Sequence, residues 1–152
     1  RIVGIRLARQ LKLDLPTVVK KVVADPSPAV RRDAVIALRF LDAAEAAPLW
    51  AELASKHDGE DRWYLEALGI GAGANWDACL AEYLKKTGGK LDTPAARDIV
   101  WRSRAKETPA LLAKILKSEG VAEDQKPRYF RAFDYFSGPE KDAALQSLIE
   151  GL

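Results

Sequence analysis

Apolar residues recur along this chain at the three- and four-residue spacing of an amphipathic helix, and period-two alternation is scarce. The pattern predicts helices over 1–11, 15–24, 28–41, 48–57, 61–71, 75–87, 94–104, 109–118, 126–136 and 139–151. That is an all-α chain of about five antiparallel helix pairs. Proline marks the starts. Pro16, Pro28, Pro48, Pro94, Pro109 and Pro139 stand at or beside predicted first turns, where a missing N–H is harmless and the fixed φ suits a helix. Asp14, Ser27, Thr93 and Thr108 lie just ahead and can cap free N–H groups. Gly88-Gly89, Gly120 and Gly138 close or separate helices.

A second periodicity is polar. Asp25, Asp58, Asp92 and Asp124 recur at spacings of 33, 34 and 32, and Arg31, Arg62, Arg97 and Arg128 at 31, 35 and 31. Each Asp precedes the first helix of a pair, and each Arg lies near that helix's first turn. A period of this length with helix–turn–helix content predicts an α-α superhelix, or solenoid. One helix pair cannot bury both of its apolar faces, so neighbours must stack. In the best-defined unit, Ala34 and Ala37 permit close helix approach, while Val30, Val35 and Leu38 are expected to fill the groove.

Residues 15–38 carry a resemblance. An apolar helix, then Asp25-Pro26, then Val30-Arg31-Arg32-Asp33-Ala34 and Ala37-Leu38, resembles a HEAT repeat over its whole unit. The resemblance implies that Asp25 and Arg31 belong to a hydrogen-bonded ladder between neighbouring repeats. Asp58 with Arg62, Asp92 with Arg97 and Asp124 with Arg128 would continue it. Their separations are four, five and four, against six in the best unit, so their register differs.

Two aromatic-rich stretches, Asp61-Arg62-Trp63-Tyr64-Leu65-Glu66-Ala67-Leu68-Gly69-Ile70-Gly71 and Arg128-Tyr129-Phe130-Arg131-Ala132-Phe133-Asp134-Tyr135, add a more specific likeness. They resemble the HEAT-like repeat region of secreted multidomain proteins of planctomycete and verrucomicrobial type. Those proteins join a propeller dehydrogenase-like domain to a Cys-x-x-Cys-His haem domain. The resemblance implies a periplasmic or secreted setting, and a role spacing or docking domains of a larger redox protein. It does not imply haem in this chain. Covalent attachment needs two cysteines and an adjacent histidine, whereas Cys79 and His57 are single and 22 residues apart. No cofactor or metal is expected.

Composition adjusts this picture only slightly. A 48% hydrophobic content in 152 residues suffices for a sizeable core. No apolar run approaches the ~18 residues of a membrane span. The chain opens at Arg1-Ile2-Val3-Gly4 in mid-pattern and holds no Met, so residues 1–152 are expected to form one repeat domain within a longer chain. Charge is uneven: residues 1–40 hold nine Lys/Arg against three Asp, and the remainder is mildly acidic. The basic residues Arg6, Arg9, Lys12, Lys20, Lys21, Arg31, Arg32 and Arg39 read first as a solvated surface, and second as a site for phosphate or an acidic partner.

Candidate chemistry is sparse. His57 reads as a helix-terminal residue favoured by the dipole, and Cys79 as a small buried hydrophobe. Gly69-Ile70-Gly71-Ala72-Gly73 ends a helix with no strand before it, unlike a dinucleotide loop. Glu60, Asp61 and Glu66 beside Arg62 read as first-turn acids and local ion pairs. Aromatics are more informative: Trp50, Trp63, Trp76 and Trp101 are spaced, and Tyr129, Phe130, Phe133, Tyr135 and Phe136 crowd one helix. Most are expected in the core. Arg31, Arg32, Trp63, Tyr64, Tyr129 and Phe130 form the expected interaction surface, since Trp, Tyr and Arg concentrate at binding hot spots.

The expectation is a non-catalytic repeat scaffold whose partner is protein, either neighbouring domains of its own chain or another subunit. Membrane, nucleic acid and small molecules are not the expected partners. Two alternatives stand beside it. One is a nucleic-acid-binding HEAT-like protein of the DNA-glycosylase type. The other is a lyase- or chaperone-like HEAT protein acting on a cofactor-bearing partner.

Overall fold

A computed structural model describes residues 1–150, and the predicted end of the last helix at 151 lies outside them. The described residues are helical with no strand, and Cα packing divides the chain into two compact units, Arg1–Lys90 and one beginning at Leu91. The first contains α1 (Ile2–Gln10), α2 (Leu15–Lys20), α3 (Pro28–Ala37), α4 (Ala43–Ala54), α5 (Arg62–Ala72) and α6 (Trp76–Thr87). The second contains α7 (Pro94–Arg102), α8 (Thr108–Lys117), α9 (Lys126–Ala132) and α10 (Pro139–Ile149).

Alternate helices of the first unit lie side by side. α1 packs on α3 and α3 on α5, while α2 packs on α4 and α4 on α6. Of the four expected caps, Asp14 and Thr93 act; Ser27 makes no side-chain cap bond, and Thr108 is the first residue of α8, its hydroxyl bonded to Ser103, while Asp61 caps α5 without having been expected to. Asp14 accepts from the Thr17 N–H, Thr93 from the Ala96 N–H and Asp61 from the Tyr64 N–H. Hydrogen bonds from Thr17 also hold the Asp14 carboxyl below its ordinary range. Gly88 ends α6 in the left-handed region at φ 65°.

The predicted helix over 48–57 is corrected. α4 begins at Ala43, capped by Asp42, whose carboxylate accepts from the Glu45 N–H at 2.9 Å. Pro48 lies inside the helix. Its missing N–H leaves the Ala44 carbonyl without a helical donor, and both residues are exposed, so water can take that bond. Two other helices end early. Leu38–Phe40 and Phe133–Tyr135 tighten into 3-10 turns, with Leu41 N–H donating to the Leu38 carbonyl and Phe136 N–H to that of Phe133. α2 stops at Lys20, where the β-branched pairs Val18-Val19 and Val22-Val23 weaken helix propensity.

The core of the first unit is built on α4. Trp50 has no solvent exposure; its indole N–H donates to the Leu68 carbonyl at 2.9 Å, and its ring meets Trp76 and Tyr83 edge-on. Leu38, Leu53, Leu68 and Leu80 of the same unit are equally buried. α5 approaches α3 closely at Gly71, where a Cβ would stand 2.2 Å from the Val35 carbonyl oxygen. Backbone cannot yield as a flexible side chain can. Gly71→Ala should therefore destabilise by about 1–3 kcal/mol, although Ala is the better helix former by ~1 kcal/mol. A lowered urea midpoint checks this, and an unchanged or raised one would show that α3 and α5 separate freely.

The second unit buries Ile99 and Val100 of α7, Leu112 and Ile115 of α8, and Phe133. α8 contacts α7, α9 and α10. A polar knot makes the turn from α7 to α8. Thr108 Oγ1 donates to Ser103 Oγ at 2.8 Å, Ser103 Oγ accepts the Ala105 N–H, and both hydroxyl residues are fully buried. Arg104 Nη1 donates to the carbonyls of Trp101, Arg102 and Ser103, capping the end of α7.

Candidate functional site

The aspartate–arginine series takes a different form from the expected ladder. Arg31 Nη1 donates to the backbone carbonyls of Asp25 at 2.6 Å and Pro26 at 3.2 Å. Arg97 repeats the clamp on Leu91 and Asp92, again at offsets of six and five residues. These arginines hold the approach to their own helix rather than a neighbouring one. The Asp25 carboxylate accepts the Ser27 N–H and pairs with Arg1 at 2.8 Å. The Asp58 carboxylate accepts the N–H groups of Glu60 and Asp61, which hold its carboxyl below the usual range. Arg62 opens α5 and is exposed, as is Asp124.

Besides Arg1 with Asp25, the ion pairs that cross between helices among the described residues either join one member of the series, Arg128, to a partner outside it or leave the series out. Arg6 of α1 meets Asp33 of α3 at 2.7 Å, and Arg32 of α3 meets Asp61 at the start of α5 at 3.4 Å. In the second unit Arg128 of α9 meets Asp98 of α7 at 2.8 Å. Asp33 and Asp98 carry no role in the sequence reading, and Asp61 is read there as a first-turn acid beside Arg62, whereas it pairs with Arg32. A signal did exist: the first two pairs are 27 and 29 residues apart, just under the repeat period.

The expected interaction surface divides. Tyr64 and Tyr129 are core residues, 2% and 4% exposed. The Tyr64 hydroxyl donates to the Leu53 carbonyl at 2.8 Å, and burial raises its phenol. Arg31 lies over the Tyr64 ring and is only partly exposed. His57 is also buried, past the end of α4, with its ring parallel to that of Tyr64. Trp63, one residue along α5 and therefore about 100° round the helix, is 71% exposed. Phe130 is exposed on α9.

Trp63 belongs to a face made by α1, α3 and α5. Two furrows run across it. One, of about 340 Å³, is lined by Ile5, Arg6, Arg9, Asp33, Ile36 and Ala37. The other, of about 420 Å³, is lined by Arg32, Asp33, Ile36, Trp63, Glu66, Ala67 and Ile70. They share Asp33 and Ile36, so they form one surface. Its α5 positions, 63, 66, 67 and 70, follow the spacing of a single helix face. At the far end of α3, the guanidinium carbons of Arg9 and Arg39 lie 5.1 and 5.5 Å from the centre of the exposed Phe40 ring.

Grooves also open among the described residues of the second unit. In one, Arg128 lies over Trp101 at 4.2 Å, beside Asp124, Arg131, Asp134 and Tyr135, and Arg104 covers Tyr135 at 3.9 Å. Another is apolar, lined mainly by Leu116, Phe130, Leu145, Leu148 and Ile149.

Cys79 is fully buried in α6, and burial pushes its thiol up to about 12. Gly69 and Gly71 lie within α5, which ends at Ala72. Among the described residues, no group of three or more His, Cys, Asp and Glu side chains is placed to hold a metal, and no helix is long and apolar enough to cross a membrane. No family model, curated protein or solved structure matches this chain.

Proposed function

We propose that this chain is a non-catalytic helical-repeat scaffold, of the α-α superhelical, HEAT-like kind, that docks a protein partner on the α1–α3–α5 face. The serial packing of α1, α3 and α5 beside α2, α4 and α6 supports the repeat reading. The single observation that carries the docking reading is Trp63, a large indole 71% exposed beside Ile36, Ala67 and Ile70. An aromatic left in water on a shallow apolar furrow gains most from a partner that covers it. The surrounding ion pairs supply the polar rim of a protein interface. The furrow suits an amphipathic helix laid along α3 and α5, with apolar anchors one turn apart. The resemblance to secreted multidomain redox proteins makes a neighbouring domain or subunit of such an assembly the natural partner.

Selection from a random peptide library against the full chain tests the reading. Selected peptides are expected to carry helical-spaced apolar residues and to lose at least about tenfold in affinity against Trp63→Ser. That substitution is at the surface and should change stability by no more than ~0.5 kcal/mol. An empty selection, or peptides indifferent to Trp63→Ser, would sink the proposal.

A further inference from the structure

We infer that this face selects an acidic partner: Arg9 and Arg39, converging on Phe40, form a two-guanidinium clamp for carboxylates on an amphipathic segment lying over Ile36, Trp63 and Ile70. The inference rests on the docking reading above and specifies its chemistry.

The arginines of this face fall into two kinds. Arg6 and Arg32 are held by Asp33 and Asp61. Arg9 and Arg39 form no ion pair among the described residues; what they share is the Phe40 ring, 59% exposed. Ring contact restrains both long side chains but uses none of the five N–H donors of either guanidinium. Both charges are thereby held against one ring, 5.1 and 5.5 Å from its centre, with their hydrogen-bonding capacity unspent. That arrangement suits carboxylates, which guanidinium groups take two oxygens at a time.

Position connects the clamp to the furrows. Arg9 lines the α1–α3 furrow with Ile36. Phe40 follows Ile36 by four residues, in the 3-10 turn that closes α3. Ile70 lies near the C-terminal end of α5, and a Cβ at Gly73 would lie 3.7 Å from that of Arg39. A segment resting on Ile36 and Ile70 therefore brings its flank to Arg39.

A polyphosphate fits less well. A nucleic-acid strand presents charge along its whole length and favours a continuous basic track. Here Asp33, Asp61 and Glu66 interrupt the arginines. Localised charge beside an apolar furrow matches a peptide with Asp or Glu flanking an apolar stripe.

The test uses two synthetic amphipathic helical peptides with the same leucine stripe, one flanked by Glu and the other by Gln, titrated into the full chain by fluorescence anisotropy. The Glu peptide is expected to bind about tenfold more tightly at low salt, with the preference fading as salt rises. The Arg9→Gln/Arg39→Gln double variant should bind both peptides alike, while Trp63→Ser weakens both. Equal affinity of the unaltered chain for the two peptides, with both lost in Trp63→Ser, overturns the clamp and leaves the docking face standing. No binding of either peptide, together with an empty library selection, removes both. Tight, salt-sensitive binding of a single-stranded oligonucleotide that depends on Arg9 and Arg39 would overturn the inference in favour of nucleic acid. The Glu-against-Gln comparison uses the unaltered protein, so it holds even where the double variant folds poorly.

Discussion

Trp50→Ala is expected to destabilise the first unit by about 3–5 kcal/mol, the range for removing a large buried aromatic. Trp50 has no solvent exposure and lies on α4, which packs against α2, α5 and α6. Three interactions end together: the hydrogen bond to the Leu68 carbonyl of α5, and the edge-on contacts to Trp76 and Tyr83 of α6. Trp50→Phe separates their contributions. It keeps an aromatic ring but loses the N–H, so part of the loss should return. Urea unfolding followed by far-UV circular dichroism measures both variants. A loss below about 1 kcal/mol for Trp50→Ala would mean that the α4–α6 contact collapses readily around the void, contrary to a close-packed core.

Leu38→Asp is expected to lower stability by roughly 3 kcal/mol or more, through a different mechanism. Leu38 is fully buried in the 3-10 turn that closes α3. A carboxylate there loses its hydration and meets the negative end of the helix dipole. Desolvation raises the introduced carboxyl's folded-state pKa above the unfolded value of about 3.9. The sign then follows: the deficit relative to the parent protein is smallest below the unfolded pKa. It grows as pH rises through the folded one. Leu38→Asn, which cannot ionise, should show a deficit without that dependence. Melting temperatures across acidic to neutral pH give the comparison. An unchanged melting temperature for Leu38→Asp would remove Leu38 from the core, and parallel curves for Asp and Asn would remove the charge argument.

Both predictions concern positions that differ in how readily the sequence reveals them. Leu38 stands in a repeat-like run with regular spacing, so its burial was legible. Trp50 reads as one of the core aromatics but stands beside a proline that reads as a helix start; in the structure it lies mid-helix in an α4 that begins at Ala43. The misreading has a physical origin. Proline is favoured at a first turn but tolerated inside a helix wherever the carbonyl it orphans faces water. Whether that carbonyl faces water is a tertiary fact.

The same division runs through the candidate site. Trp63 and Tyr64 are adjacent and chemically similar, and both belonged to the expected surface. One step along α5 separates a 71% exposed indole from a phenol hydrogen-bonded in the core. Arg31 and Arg32 divide similarly: Arg31 clamps backbone carbonyls before its own helix, while Arg32 reaches Asp61 at the start of the next helix of the face. Composition cannot distinguish such neighbours, because what decides is the rotation of each helix against its neighbours. The convergence of Arg9 and Arg39 on Phe40 joins residues thirty positions apart, and no local pattern announces it.

By itself the sequence determined that the chain is helical, where most helices lie, and that Asp14 and Thr93 cap two of them. These properties follow from interactions within a few residues: spacing of apolar positions, proline's missing donor and short side chains bonding nearby N–H groups. Only the tertiary structure decided which aspartate meets which arginine, which aromatic is left in water and which face gathers unneutralised charge. Those outcomes depend on the phase and separation of packed helices, set by contacts such as Gly71 against the Val35 backbone that join residues distant along the chain.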